Sequence, residues 1–173
     1  MKYRALILLL AVLSASPALA DDGNRWGFGS DVGFVSGTVN GTVFALNFNL
    51  DYYLDSAFSI GPMLQITPTG DLTRIAIAGV ARYHFQTRYV NIVPFAGLGL
   101  VHDDLDRGSG TSRISRNDTS HYIPLGVSVE YPLARKLALA TTLMVSLHDL
   151  NFSPPVGDDH TSVSLLFGIR FGP

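Results

Sequence analysis

The chain lacks cysteine entirely, and after its first 20 residues it contains a single lysine, Lys136, and a single glutamate, Glu130. The absence of cysteine excludes a disulfide framework and a lipid attached to an N-terminal cysteine. Lysine and glutamate are among the side chains that most commonly cover the water-facing surface of a soluble protein. With one of each, a sheet of ordinary size cannot be covered by charge on its outer face.

The first 20 residues have the pattern of a secretory signal peptide. Lys2 and Arg4 form a basic start, residues 5–13 form an apolar run, and residues 18–20 supply small side chains at a cleavage position. A retained membrane anchor is the alternative, but the apolar run is shorter than the roughly 20 residues of a spanning helix. We therefore predict a signal peptide over residues 1–20 and one barrel domain over residues 21–173.

Removal of the signal peptide takes away two basic residues and no acidic one, which changes the formal net charge from −2 to −4. A weakly acidic chain is a poor ligand for nucleic acid, so no nucleic-acid partner is expected. About 150 residues then remain, which is the length of one domain. No linker divides them.

Apolar and polar residues alternate along the segment from Thr42 to Tyr53. Its apolar positions are Phe44, Leu46, Phe48, Leu50 and Tyr52, and the positions between them include Asn47, Asn49 and Asp51. Because successive side chains of a strand point to opposite faces, this pattern predicts a two-faced β-strand. The pattern recurs and predicts eight strands, over residues 26–35, 42–53, 57–66, 73–85, 92–102, 121–131, 137–148 and 161–171.

The connections between these strands alternate in length. One end of the sheet has turns at residues 54–56, 86–91 and 132–136, and the other has loops at 36–41, 67–72, 103–120 and 149–160. Eight antiparallel strands with this asymmetry indicate an all-β, up-and-down β-barrel. We refer to its two ends as the turn end and the loop end.

The direction in which the apolar rows point decides whether such a barrel is soluble or membrane-spanning. A soluble barrel would need charge, chiefly lysine and glutamate, at every second residue along its outward face, and the chain does not supply it. The polar rows consist mainly of glycine, alanine, serine and asparagine, which fit the narrow interior of eight strands. We therefore predict an eight-stranded antiparallel up-and-down transmembrane β-barrel with its apolar rows facing lipid.

Aromatic side chains support the same orientation. A transmembrane barrel carries an aromatic girdle where its strands cross the membrane interface. Six aromatic residues fall at strand ends on the turn end, and the predicted girdle comprises Trp26, Tyr52, Tyr83, Phe85, Tyr131 and Phe171.

Three features together resemble a known family: the strand pattern, the segment from Val93 to Gly99 (VPFAGLG), and a final strand ending in the aromatic Phe171. The chain resembles the small eight-stranded outer-membrane β-barrels of Gram-negative bacteria, of the OmpX, OmpA-transmembrane and opacity-protein kind. The resemblance implies an outer-membrane location at the cell surface, contact with outer-membrane lipid and lipopolysaccharide, and an assembly signal at Phe171 read by the barrel assembly machinery. Gly172 and Pro173 follow that phenylalanine, whereas in the family it is terminal.

Charged residues on the inward rows form the candidate lumen network, which consists of Arg82, His84, Glu130, Arg170, Asp51 and Arg74, with Asp31 a further candidate. Charges buried in a narrow barrel must pair, since an unpaired one costs several kcal/mol. The expected arrangement is a structural plug in which Glu130 bridges Arg82 and Arg170. The alternative is a narrow, porin-like pore that these groups gate.

An enzyme is a further alternative, because some small barrels of this kind modify lipid A. The candidates are Ser146 and His148, with Asp149 beside them. Their spacing places Ser146 and His148 on the lumen face, about 7 Å apart, while a lipid-modifying site must open to the bilayer. We therefore predict no catalytic residue and no cofactor.

The predicted loop from Asp103 to Ser120 is the candidate site for a surface ligand. Its charged residues are Asp103, Asp104, Asp106, Asp118, Arg107, Arg113 and Arg116. Arginines could meet lipopolysaccharide phosphates, but the acidic residues do not have the spacing of a calcium loop. Three histidines near loop bases, His102, His121 and His160, lack a zinc-binding pattern as well. We predict no metal, and a monomer with a structural or cell-surface interaction role.

Overall fold

The computed structural model describes residues 25–38, 41–68, 72–107, 114–152 and 157–172. The predicted signal peptide lies outside these residues. The strands are β1 (Trp26–Thr38), β2 (Gly41–Tyr53), β3 (Phe58–Pro68), β4 (Leu72–Tyr83), β5 (Phe85–Gln86), β6 (Asn91–Arg107), β7 (Ile114–Ala134), β8 (Leu137–Phe152) and β9 (Gly157–Phe171). No helix within the described ranges is long and apolar enough to cross a membrane.

The strands form one closed antiparallel sheet. Apart from β4, each strand from β1 to β8 pairs with the next one in the chain, β4 pairs with β6, and β9 closes the sheet by pairing with β1 from Phe28↔Phe171 to Ser36↔Val163. The short β5 continues β4 after an interruption at His84, since both pair with β6 in the same register. The predicted eight-stranded antiparallel β-barrel is therefore confirmed.

The two faces of the barrel differ in the predicted sense. On β2, Asn47 and Asn49 are 2% and 3% exposed, whereas Phe44 on the outer face is 42% exposed. Around the barrel, many of the large outward apolar side chains are between 37% and 71% exposed. Two of these are Leu98 and Leu100, which face outward on β6, whereas Phe95 of the same strand is 8% exposed and faces inward. The barrel thus has an apolar exterior and a largely polar interior.

The strands at the loop end extend further than predicted. β6 continues to Arg107 and β7 begins at Ile114, with backbone pairing from Asp103↔Asp118 to Arg107↔Ile114. The prediction of a loop over residues 103–120 is therefore wrong at both ends, because each end belongs to a strand. β8 and β9 likewise extend to Phe152 and from Gly157. Alternation of apolar residues is lost there, but backbone hydrogen bonds between strands do not depend on it.

Compact turns close the other end. The β2–β3 turn is held by one Asp55 carboxylate oxygen, Oδ1, which accepts backbone hydrogen bonds from Ala57 at 2.7 Å and Phe58 at 2.8 Å. β1 begins and β9 ends at this same end, where the Gly172 backbone amide donates to the Lys136 carbonyl at 3.2 Å. The turn end therefore brings together the start of β1, the end of β9 and the turns that follow β2, β5 and β7.

Candidate functional site

The inward side chains near the turn end form two hydrogen-bonded ion pairs, of which the first joins β9 to β1. Arg170 donates to the Asp31 carboxylate through Nη1 at 2.6 Å and Nη2 at 3.1 Å. Asn47 and Asn49 on β2 donate to the same carboxylate at 2.9 and 3.3 Å. Arg170 also has Nε at 3.7 Å from Oε1 of Glu130. Asp31 thus accepts the most side-chain hydrogen bonds of the acidic residues in this group.

The second ion pair joins β4 to β2. Arg82 pairs with Asp51 and also donates to the side-chain oxygen of Asn49. The structure therefore pairs Arg82 with Asp51, and not with Glu130 as expected from the sequence. Phe95 on β6 is the register partner of Arg82, and its ring centroid lies 5.8 Å from the guanidinium carbon. The ring therefore occupies the side of Arg82 that faces β6 and β7. Arg82 is therefore directed toward β2, away from the strand that carries Glu130.

Apolar side chains fill the lumen between these pairs and the loop end. One buried cluster joins Met63, Ala76, Ala78, Val80, Phe95, Val101, Tyr122 and Met144, and a second joins Val35, Val43, Ala45 and Leu166. Met63, Met144 and Leu166 are at most 1% exposed. We call these two clusters the middle layer. The sequence analysis did not anticipate it, because its members come from different strands and meet only when the barrel closes.

The described end of the lumen nearer the loops contains a third ion pair. Arg74 Nε donates to both oxygens of Asp103, at 2.8 and 3.0 Å, and its Nη2 donates at 2.7 Å. Both side chains are at most 2% exposed. Asp103 was predicted to lie in a loop, but it belongs to β6 and points into the lumen opposite its β4 partner Arg74. It is therefore not available to a surface ligand.

Ser146 and His148, the residues of the enzyme alternative, are also buried in the lumen, at 0% and 3% exposure. The Ser146 hydroxyl donates to the Tyr122 hydroxyl at 3.0 Å, and Tyr122 donates to the Gln65 side-chain oxygen at 3.1 Å. Ser146 is thus one member of a chain of hydrogen bonds that crosses the lumen through Tyr122 to Gln65. This geometry does not present a nucleophile to the bilayer.

Glycines make room for the large inward side chains. Phe95 faces Gly126 across β6 and β7, and a Cβ at Gly126 would lie 2.5 Å from the Phe95 ring. Likewise, a Cβ at Gly168, the β9 partner of Asp31, would lie 2.3 Å from the Asp31 carboxylate. Each bulky group therefore occupies space that a glycine on the neighbouring strand leaves empty. This complementarity was not recognised from the sequence, because it depends on the strand register.

Tyr53 and His84 lie across the lumen at the turn end. Their rings stack with centroids 5.0 Å apart, and His84 Nε2 is 2.9 Å from the Ser59 hydroxyl. A polar recess of about 140 Å³ near them is also lined by Glu130 and Arg170. Tyr53 was placed on the polar row of β2 by the alternation, but nothing in the pattern signalled its stacking on His84.

The six aromatic residues of the predicted girdle occupy the turn-side ends of β1, β2, β4, β5, β7 and β9. Trp26, Tyr83, Phe85 and Tyr131 are 44–54% exposed, and Tyr52 and Phe171 are half-buried. Trp26 packs edge-on against Tyr52 with ring centroids 5.0 Å apart, and Tyr83 packs on Phe85 at 4.5 Å. They form a partial ring of outward aromatic side chains at one level of the barrel.

The histidines near the loop end have polar partners of their own. His102 Nδ1 is 2.6 Å from the Thr119 hydroxyl, and His160 Nδ1 is 3.1 Å from the Asp149 carboxylate. Within the part of the chain that the structure describes, no group of three or more histidine or acidic side chains is placed to hold a metal.

Neither a protein-family model nor a curated protein sequence matches the chain. Solved structures do. Neisserial surface protein A superposes with a TM-score of 0.63 at 16% identity, covering 86% of this chain and 96% of its own. The protein has the fold of the small eight-stranded outer-membrane β-barrels.

Two further structures agree on that fold. A major outer membrane protein from Thermus thermophilus has a TM-score of 0.60 at 13% identity, covering 84% of this chain and 97% of its own. Ail, the attachment invasion locus protein of Yersinia pestis, has a TM-score of 0.53 at 12% identity, covering 84% and 96%. At these identities the similarity is one of fold, and the role must be argued from the barrel itself.

Proposed function

We propose that the protein is an outer-membrane β-barrel of a Gram-negative bacterium, with a plugged lumen and a structural or cell-surface interaction role. The observation that carries this proposal is the inverted distribution of polarity, with apolar side chains outside and ion pairs inside. An apolar exterior of this extent is unstable in water and is matched by a bilayer. The fold shared with bacterial outer-membrane proteins supports the same location.

The proposed plug consists of three levels along the barrel axis. Ion pairs Arg170–Asp31 and Arg82–Asp51 lie toward the turn end, the middle layer follows, and Arg74–Asp103 lies toward the loops. Eight strands leave an interior just wide enough for side chains to fill. The side chains of the middle layer are at most 8% exposed, and the Tyr122 hydroxyl among them is already hydrogen-bonded to Gln65 and Ser146, so a passing ion would find little space and no free polar group there. A plug therefore accounts for the described lumen better than a pore does.

The interaction role belongs to the loop end, because plugging leaves the surface as the place of contact. Arg107, Arg113 and Arg116 carry the charge suited to lipopolysaccharide phosphates or to an anionic surface ligand. Two proteins of the same fold are named as a surface protein and an attachment invasion locus protein. At the other end, Phe171 ends β9 and is the proposed signal for the barrel assembly machinery.

Single-channel recording in planar bilayers tests the plug against the pore. The plug predicts no unitary conductance for the wild type and none for Glu130→Ala, since Glu130 lies on one side of the middle layer. Unitary events in the wild type would refute the plug. Events in Glu130→Ala alone would identify a gate and favour the pore.

A further inference from the structure

The polar recess at the turn-end mouth of the lumen, which we call the turn-end recess, is large enough for a ligand. Its volume is about 140 Å³, and the charged residues that line it include Glu130, Arg135, Lys136 and Arg170. One ordered water needs only about 10–15 Å³ of such space. The turn-end recess therefore has room for a small organic ion.

Small side chains on β8 leave this space open. Ala138 is the register partner of Arg170, and Ala140 is the register partner of Glu130. The Arg170 side chain does not fill the space either, because it extends over Gly29 of β1, where an added Cβ would lie 2.8 Å from Arg170 Cδ. The turn-end recess therefore remains unfilled on the β8 side.

The Glu130 carboxylate lacks a hydrogen-bond donor in this recess. Glu130 is 8% exposed, and its ion-pair partner Arg170 has Nε 3.7 Å from Oε1, while the same arginine donates two hydrogen bonds to Asp31. Among the residues that the structure describes, none donates a hydrogen bond to this carboxylate or to the hydroxyl of Tyr53, which lines the same recess. Since buried polar groups are normally hydrogen-bonded, a ligand that brings a donor would fit here.

The charges around the recess favour a ligand that carries both signs. An ammonium group would supply the donor that Glu130 lacks, but a simple cation would also meet the three basic side chains of the lining. A simple anion would suit Arg135, which is exposed at the β7–β8 turn, but it would leave Glu130 without a donor. A group with an ammonium and a carboxylate close together satisfies both residues through charge-assisted hydrogen bonds.

We propose that the turn-end recess binds a small α-amino acid, with its ammonium group on the Glu130 carboxylate and its carboxylate on the Arg135 guanidinium. The Tyr53 hydroxyl accepts a further hydrogen bond from the ammonium group. Ala138 leaves room for the short side chain of the ligand. This site goes beyond the structural and surface role proposed above, and it requires only the folded barrel.

L-Alanine is the probe, and its binding to the full folded barrel in deuterated detergent micelles is followed by saturation-transfer NMR of the alanine methyl group. We expect saturable binding that empty micelles do not show. Ethylamine is alanine without the carboxylate, and propionate is alanine without the ammonium group. Each should compete with alanine at least about tenfold more weakly than unlabelled alanine does, because each loses one set of charge-assisted hydrogen bonds. Alanylalanine carries its two charges on different residues and should also compete weakly.

Matched variants assign the binding to the recess. Glu130→Gln and Arg135→Gln should each weaken alanine binding by about tenfold or more. Arg88→Gln, at the β5–β6 turn, removes a turn-end charge outside the recess and should leave binding unchanged. Ala138→Leu fills the recess without a change of charge and should abolish binding, whereas Thr141→Leu adds bulk to an exposed position of β8 and should not. Heat-modifiable gel migration checks that each variant folds.

Several results would overturn the site. A folded barrel without saturable alanine binding contradicts it outright. Competition equal to that of alanine would indicate an anion site if propionate shows it, a cation site if ethylamine shows it, and a peptide site if alanylalanine shows it, and each of these refutes the proposal. Equal losses in Arg88→Gln and Arg135→Gln would reflect general surface charge and refute it as well. Because Arg135 is exposed in a turn, its variant tests the site even where Glu130→Gln does not fold.

Discussion

Replacement of Asp31 by alanine tests the energetic role of the lumen ion pairs. Asp31 is 1% exposed and accepts four hydrogen bonds, two from Arg170 and one each from Asn47 and Asn49. Removing one partner of a buried ion pair costs about 3–5 kcal/mol, because the other charge stays buried. Glu130, 3.7 Å from Arg170, retains part of the counter-charge. We therefore expect a loss near the lower value, about 3 kcal/mol.

The loss is measured as the free energy of unfolding, from reversible urea titration of the barrel in lipid vesicles. Asp55→Ala is the control, because Asp55 is likewise a hydrogen-bonded carboxylate but is exposed. We expect the loss of its two hydrogen bonds to cost about 1 kcal/mol. Adding Arg170→Ala to Asp31→Ala should cost less than Arg170→Ala does alone, because Asp31 is then no longer left buried without its partner. A cost for Asp31→Ala no larger than that of Asp55→Ala would refute the reasoning.

Two further predictions concern the outer face and the strand packing. Leu143→Arg, near the middle of β8, should reduce the free energy of unfolding in lipid by about 2–4 kcal/mol, because the arginine would lie at the bilayer midplane. Leu133→Arg, at the turn-side rim, should reduce it by about 0–1 kcal/mol. Both leucines are about half exposed, so equal costs would contradict lipid contact. Gly99→Ala should lower the yield of folded barrel in gel-shift assays, because its Cβ would lie 1.9 Å from the Ile77 carbonyl oxygen. Gly79→Ala should fold normally, because a Cβ at Gly79 would have no atom within 4 Å. Normal folding of Gly99→Ala would contradict the close strand approach.

The alternation of apolar and polar residues was sufficient to predict the eight strands, while the alternating loop lengths indicated their antiparallel order and the scarcity of lysine and glutamate indicated which face points outward. Alternate side chains of each strand point to the lumen and to the exterior, so the alternation in the sequence directly reflects the difference between these two environments. Phe44 and Asn47 on β2 lie on the predicted faces for this reason. The strand ends near the loops were not predictable in the same way, since β6 and β7 continue pairing where the apolar rows have ended.

The ion-pair partners were not predictable from the residues alone. Asp31 and Arg170 are 139 positions apart and meet because β9 closes the barrel on β1 in a register that alternation does not determine. Asp103 was assigned to a loop, and its pairing with Arg74 follows from the extension of β6. The middle layer was missed because Phe95 shares its face with glycines, whose role as space for large neighbours becomes apparent only across strands.

The central claim is that the apolar face of this barrel meets an outer membrane. Gel migration of outer-membrane fractions from cells expressing the full chain, with and without boiling, tests location and fold together. The account predicts a protein in the outer-membrane fraction whose unboiled and boiled forms migrate differently, because the closed barrel resists detergent until heated. A protein recovered soluble from the periplasm, with the same migration before and after boiling, would contradict it.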